Sequence, residues 1–176
     1  MKPRGQLMIE HRLIEKMLHV IQNQIPLIEK QNRVDPVFID TVVDFIKIYA
    51  DRTHHGKEEE ILFRALSAKS MASEDEKIMA ELIEEHKFGR QVTADMVQAG
   101  REYRNGRMEA LAAITEKLRT LVDFYPKHII KEDKVFFPNT EKYIRQEEQE
   151  NMLDEFNEFD RKMIHEKYAS VLEGLK

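Results

Sequence analysis

Asp51-Arg52-Thr53-His54-His55-Gly56-Lys57-Glu58-Glu59-Glu60-Ile61-Leu62-Phe63 is the stretch on which the reading of this 176-residue chain turns. On a helix, His55 and Glu59 are four residues apart, one above the other on the same face. That face runs on through Phe45, Ile48, Arg52, Leu62 and Leu66, so an imidazole and a carboxylate interrupt a mostly apolar stripe. Burying an unpaired carboxylate costs on the order of several kcal/mol, and a bound cation removes that cost. The same figure recurs at His128-Ile129-Ile130-Lys131-Glu132. Two His-x-x-x-Glu pairs on separate helices pose a metal site, which the rest of the chain must support.

It does so helix by helix. Leu7, His11, Ile14, Leu18, Ile21, Ile25 and Ile28 alternate spacings of four and three, a helical core stripe with His11 inside it. Pro26 predicts a loosened last turn. Asp35-Pro36 reads as an N-cap with proline at the first helical position, opening a second helix that runs to about Leu66. Gly56, directly after a candidate ligand, suggests room for a neighbouring helix or a small molecule. Ser73-Glu74-Asp75-Glu76 has the form of a capping box. The third helix follows, with Met79, Leu82, His86, Thr93 and Val97 on one line, and Asn105-Gly106 ends it. The fourth carries Leu111, Ile114, Leu118, Leu121, Tyr125, His128, Glu132 and Val135 and stops at Phe137-Pro138, with a distortion expected at Pro126. From about Arg145 to Leu175 a fifth helix presents Leu153, Phe156, Phe159 or Asp160, Met163 and Val171 for docking.

Long helices joined by short connections predict an all-α fold, an up-down-up-down four-helix bundle over residues 1–138 with a C-terminal helical extension, 139–176, packed outside. Each bundle helix brings one histidine to its buried stripe: His11, His55, His86 and His128. The second and fourth add Glu59 and Glu132. Such a set suits a pair of divalent first-row metals, carboxylates bridging and imidazoles terminal. The Glu-x-x-His pattern of ferritin-type sites is absent, because Ile83 and Tyr125 hold the required positions.

Taken singly, each histidine has a plainer reading as a hydrogen-bonded core residue, and a His–Glu pair four apart is often a surface contact worth a few tenths of a kcal/mol, roughly. One inward histidine per helix, with two acids at the same offset, is hard to obtain from independent core residues. His54 with Glu58 repeats the offset about 100° round the helix, and reads as solvated in preference to standing behind the ligands. Asp133 competes with Glu132 for the bridging role if Pro126 rotates the helix. Glu15 is either a further oxygen ligand or a surface acid, and His19 and His165 fall outside the constellation.

Composition narrows the alternatives. There are no cysteines, so thiolate zinc, iron–sulfur and disulfide chemistry are excluded and any metal must be held by nitrogen and oxygen. Net charge is −5 with acids and bases interleaved, which argues against nucleic acid as a partner. No stretch approaches the roughly 20 apolar residues of a membrane span, and no apolar signal region follows the N-terminus, so the expected location is cytoplasmic.

At Glu10-His11, at His54-His55-Gly56-Lys57-Glu58-Glu59-Glu60-Ile61-Leu62-Phe63, at Glu85-His86-Lys87-Phe88-Gly89-Arg90 and at His128-Ile129-Ile130-Lys131-Glu132-Asp133 the chain resembles the hemerythrin-like (HHE cation-binding) family. The resemblance covers roughly Leu7 to Pro138. It implies a four-helix bundle with two iron ions in an oxo- or hydroxo-bridged non-haem centre, bridged by Glu59 and Glu132. Oxygen carriers of the family have two histidines one turn apart on the third helix; here Leu82 and Arg90 flank His86 at those offsets. They also place an aspartate where this chain has Asp133. Fewer imidazoles look more like the iron-sensing F-box proteins and the bacterial repair-of-iron-centres proteins. The expectation is a di-iron protein that senses or handles O2, NO or peroxide, or buffers iron. The alternatives are an oxidase, peroxidase-like or NO-reducing enzyme, and a metal-free helical interaction module.

Overall fold

The alternating stripe of the first segment produces the helix it predicts. In a computed structural model describing residues 2–175, α1 (Pro3–Gln31) buries Leu7, His11, Ile14, Leu18, Ile21, Ile25 and Ile28. It continues through Pro26 to Gln31 and is capped by Asn32, whose φ of 49° is left-handed. Asp35 caps the second helix by accepting from the Val37 backbone N–H at 2.9 Å, with Pro36 in the first turn.

The second helix, α2 (36–67), departs from the expected α geometry. Its ends, Pro36–Asp44 and Arg64–Ser67, are α-helical, but Phe45–His55 and Glu58–Phe63 are π-helical. The cause is legible in what is buried: Val42, Ile46, Ala50, His54, Glu58, Leu62 and Leu66, every fourth residue. At 3.6 residues per turn such a line winds round an α-helix, whereas the wider i→i+5 turns of a π-helix hold it on one side. Phe45 and Ile48 are only half-buried and Arg52 is exposed, so the face read from α periodicity is rotated away from the core.

α3 (Ser73–Arg104) starts with Ala72 as its N-cap and no side-chain cap bond, so the predicted capping box does not form. Gly106, with φ at 86°, closes its far end as expected. α4 (110–140) is α-helical through Pro126 over Ala110–Lys131, and its irregular turn comes later, at the π-helical Glu132–Phe136. That turn brings Phe136 into the core in place of Val135, which is exposed. A 3-10 turn at Glu141–Tyr143 leads to α5 (Gln146–Gly174). α5 docks through Met152, Phe156 and Met163, with Leu153 and Phe159 half-buried; Val171 is exposed.

The four bundle helices enclose two apolar layers. One contains Ile14, Ile46, Ala50, Val92, Leu121 and Ile129, the other Leu7, Ile61, Leu62, Leu82, Phe136 and Phe156. Between these layers all four helices leave buried polar residues, His11, His54, His55, Glu58, His86, His128 and Glu132 among them.

Candidate metal centre

Five imidazoles and two carboxylates converge between the apolar layers, all at most 2% exposed. His55, His86 and His128 form one donor group, and His11, His54, Glu58 and Glu132 the other; within each group one ligand atom per residue lies within 4.8 Å of the rest. The two carboxylates link the groups. Glu58 places Oε1 3.5 Å from His54 Nε2 and Oε2 3.4 Å from His86 Nε2. Glu132 places Oε2 3.1 Å from His11 Nε2 and Oε1 3.4 Å from His128 Nε2.

Nearly all of this chemistry lacks a hydrogen-bond partner within the protein. Both oxygens of Glu58, both of Glu132, and Nε2 of His86 and of His128 are buried without one. An unsatisfied buried polar group costs about 1–3 kcal/mol, and more when charged. A cation is what such a set of converging lone pairs fits. His11 Nε2 and His54 Nε2 lie 2.8 Å apart, two nitrogens pointed at each other. The rings also stack, with His55 on His86 at 3.8 Å between centroids, flanked by Tyr125 and Phe63.

Behind the imidazoles stands a second tier. His11 Nδ1–H donates to Asp133 at 2.7 Å, His54 Nδ1–H to Glu10 at 2.8 Å, His86 Nδ1–H to Glu59 at 2.7 Å, and His128 Nδ1–H to Glu85 at 2.8 Å. Each of these carboxylates is paired in turn with a cation: Arg12, Lys57, Arg90 and Lys131 respectively. His55 differs, since its Nδ1 lies 3.5 Å from Asp51 without a hydrogen bond. Carboxylates of this kind fix the tautomer and ring orientation of metal-bound histidines.

The electrostatics follow. Burial, reinforced by neighbouring imidazoles, holds His54 and His55 well below the usual histidine range, leaving neutral donors. Burial also lifts Glu58, aided by the charge of Glu132. Burial opposes the charge on His11, but its hydrogen bond to Asp133 and the nearby negative charge of Glu132 prevail and push it up to about 10. In the metal-free chain, protons on His11 and His86 partly neutralise the carboxylates.

Residues 3–140 match the family described as the hemerythrin HHE cation binding domain. The chain belongs to the hemerythrin HHE family. No curated protein and no solved structure matches it. Family membership and the His/Glu cluster make this a cation-binding, hemerythrin-like protein.

Of the residues singled out in this HHE chain from sequence, His11, His55, His86, His128 and Glu132 come together. Glu59 does not join them: its carboxylate is 28% exposed and lies behind His86, held by Arg90. Glu58 takes the place expected for Glu59, and His54, expected to be solvated, is buried at the cluster. The physical reason is the π-helical turn, which rotates the 54/58 line inward. Its signal in sequence is the period of four running from Val42 through Ile46 and Ala50. Asp133 stands behind His11 while Glu132 faces the cluster, and Glu15 pairs with Arg12 at the surface. His19 and His165 are exposed. Leu82 and Arg90 stand one turn either side of His86, so α3 brings one imidazole to the cluster, whereas α2 brings two adjacent ones. Lys57, fully buried, gave no sign in the sequence. No helix among the described residues is long and apolar enough to cross a membrane.

Proposed function

We propose that this HHE protein holds a non-haem di-iron centre, with Glu58 and Glu132 as bridges and His11, His54, His55, His86 and His128 as terminal ligands. Its role is to sense or handle O2, NO or peroxide, or to buffer iron. The observation that carries the reading is that each carboxylate offers one oxygen to each donor group, and none of the four oxygens has a protein hydrogen bond. A pair of irons bound there would supply one-electron chemistry and an affinity for small diatomic ligands. The protein's part is to hold the donors and keep them dry. Asp133, Glu10, Glu59 and Glu85 set the rings, and Phe63, Phe136 and Phe137 close one side. The His11/His54 half would offer a metal two imidazoles against three from the other group.

The test is elemental analysis of protein purified without chelators, with absorption spectra before and after exposure to air. The expected result is about two irons per chain, as in other di-iron bundles, with near-ultraviolet bands that change with oxygen. A metal-free protein that takes up no ferrous iron anaerobically would overturn the reading and leave a helical interaction module.

A further inference from the structure

One of the four supports behind the imidazoles is built unlike the others. Arg12, Arg90 and Lys131 are 52%, 38% and 29% exposed, so three supports end in cations that water also solvates. The support behind His54 ends at Lys57, which is 0% exposed. A buried ammonium needs acceptors other than water. Lys57 Nζ donates to Glu10 and, at 2.6 Å, to Asp160 on α5. Gln6 donates to the other Asp160 oxygen at 3.1 Å. The same helix places the Phe156 ring 5.8 Å from the ammonium. Phe159 covers Gly56 so closely that a Cβ there would come within 2.7 Å of its ring. All three α5 residues lie beyond the 3–140 family match.

We propose that Asp160 is a positioning residue for the metal centre, setting His54 through Lys57 and Glu10, so that α5 completes the half held by His11 and His54. The inference rests on the di-iron reading above. Asp160 shares the ammonium with Glu10 and leaves Glu10 Oε2 to the His54 ring. With Asp160 neutral, Lys57 turns its full charge on Glu10 and competes with the imidazole for that carboxylate, and the ring loses its fixed orientation. Partners that orient ligand histidines are worth about 10–100-fold in metal affinity. Asp160 acts one step further back, so about tenfold is expected, confined to one of the two metals.

The experiment is anaerobic titration of the chelator-stripped full chain with cobalt(II), and then with iron(II). Visible cobalt bands and a competing chelator resolve the two equivalents. Wild type, Asp160→Asn, Asp160→Glu and Glu155→Gln are compared; Glu155 lies on the same helix in an exposed pair with Arg64. In Asp160→Asn one equivalent should weaken about tenfold with an altered cobalt band while the other keeps its affinity. Asp160→Glu should recover the wild-type titration, and Glu155→Gln should never depart from it. Two unchanged equivalents in Asp160→Asn overturn the inference, as does a loss at both equivalents that follows the melting temperature of the metal-free chain. A wild-type chain that takes up neither metal overturns the di-iron reading itself, and the inference falls with it.

Discussion

Neutralising Glu58 and neutralising Glu59 should have opposite consequences, although the two acids are adjacent. The Glu58 carboxylate is 0% exposed, lacks a hydrogen bond at either oxygen and faces Glu132 across the cluster. In the metal-free protein it is a liability of the size of an unsatisfied buried group, about 1–3 kcal/mol. Glu58→Gln removes the repulsion and supplies an amide that can donate to Glu132. The stripped protein should gain about 1–3 kcal/mol, or roughly 2–12 °C in melting temperature for a chain of this size. On the proposed di-iron reading the same change removes a bridge and should abolish two-metal binding. Glu59 is partly exposed and bound to Arg90 and His86. Glu59→Gln should therefore leave the stripped protein no more stable, keep both metals and weaken them by about 10–100-fold. Calorimetry of stripped protein, alongside metal counting after loading, reads both quantities. Retention of both metals by Glu58→Gln, with their loss in Glu59→Gln, would refute the π-helical register of α2.

Two further tests address packing and charge. Gly56→Ala should destabilise the protein despite alanine's better helix propensity, by about 1–3 kcal/mol for overpacking against Phe159. In a Phe159→Ala background the sign should reverse to a gain of up to about 1 kcal/mol; a gain in both backgrounds would remove Phe159 as the cause. Glu148, bonded to Lys69 and Arg145, is held down at about 2 from an ordinary 4.5. A depressed carboxylate contributes stability that is complete above the ordinary value and lost as pH falls to the folded one. The melting-temperature difference between wild type and Glu148→Gln should thus be constant above about pH 5 and vanish towards pH 2; a difference that persists at pH 2 would contradict the pairing.

Much of this arrangement was legible without coordinates. The stripe through His11 on α1, the one through His86 on α3 and the one through His128 and Glu132 on α4 follow α periodicity, and those residues meet where periodicity puts them. On the second helix His55 comes inward as its periodicity implies, but Glu58 and not Glu59 does so with it. On an α-helix His55 and Glu59 share the apolar face, and the alternative pair His54 and Glu58 lies about 100° round the helix. Which pair turns inward depends on the hydrogen-bond register of the helix, and a π turn is costly in isolation and retained only where packing rewards it. The space that Gly56 leaves for a neighbour is filled by Phe159.

The sequence by itself determined an all-α bundle with metal-binding side chains at its centre, because helical periodicity, caps and the absence of cysteine are local or compositional properties. Only the tertiary structure decided that two adjacent histidines of α2 both turn into the cluster, that Glu58 and not Glu59 faces Glu132, and that each of four imidazoles leans on a carboxylate. Most of these choices pair residues far apart in the chain, such as His11 with Asp133 and Lys57 with Asp160. They are settled by desolvation: once the helices close, a buried charge such as Lys57 is stabilised only by partners that other helices bring to it, here Glu10 and Asp160.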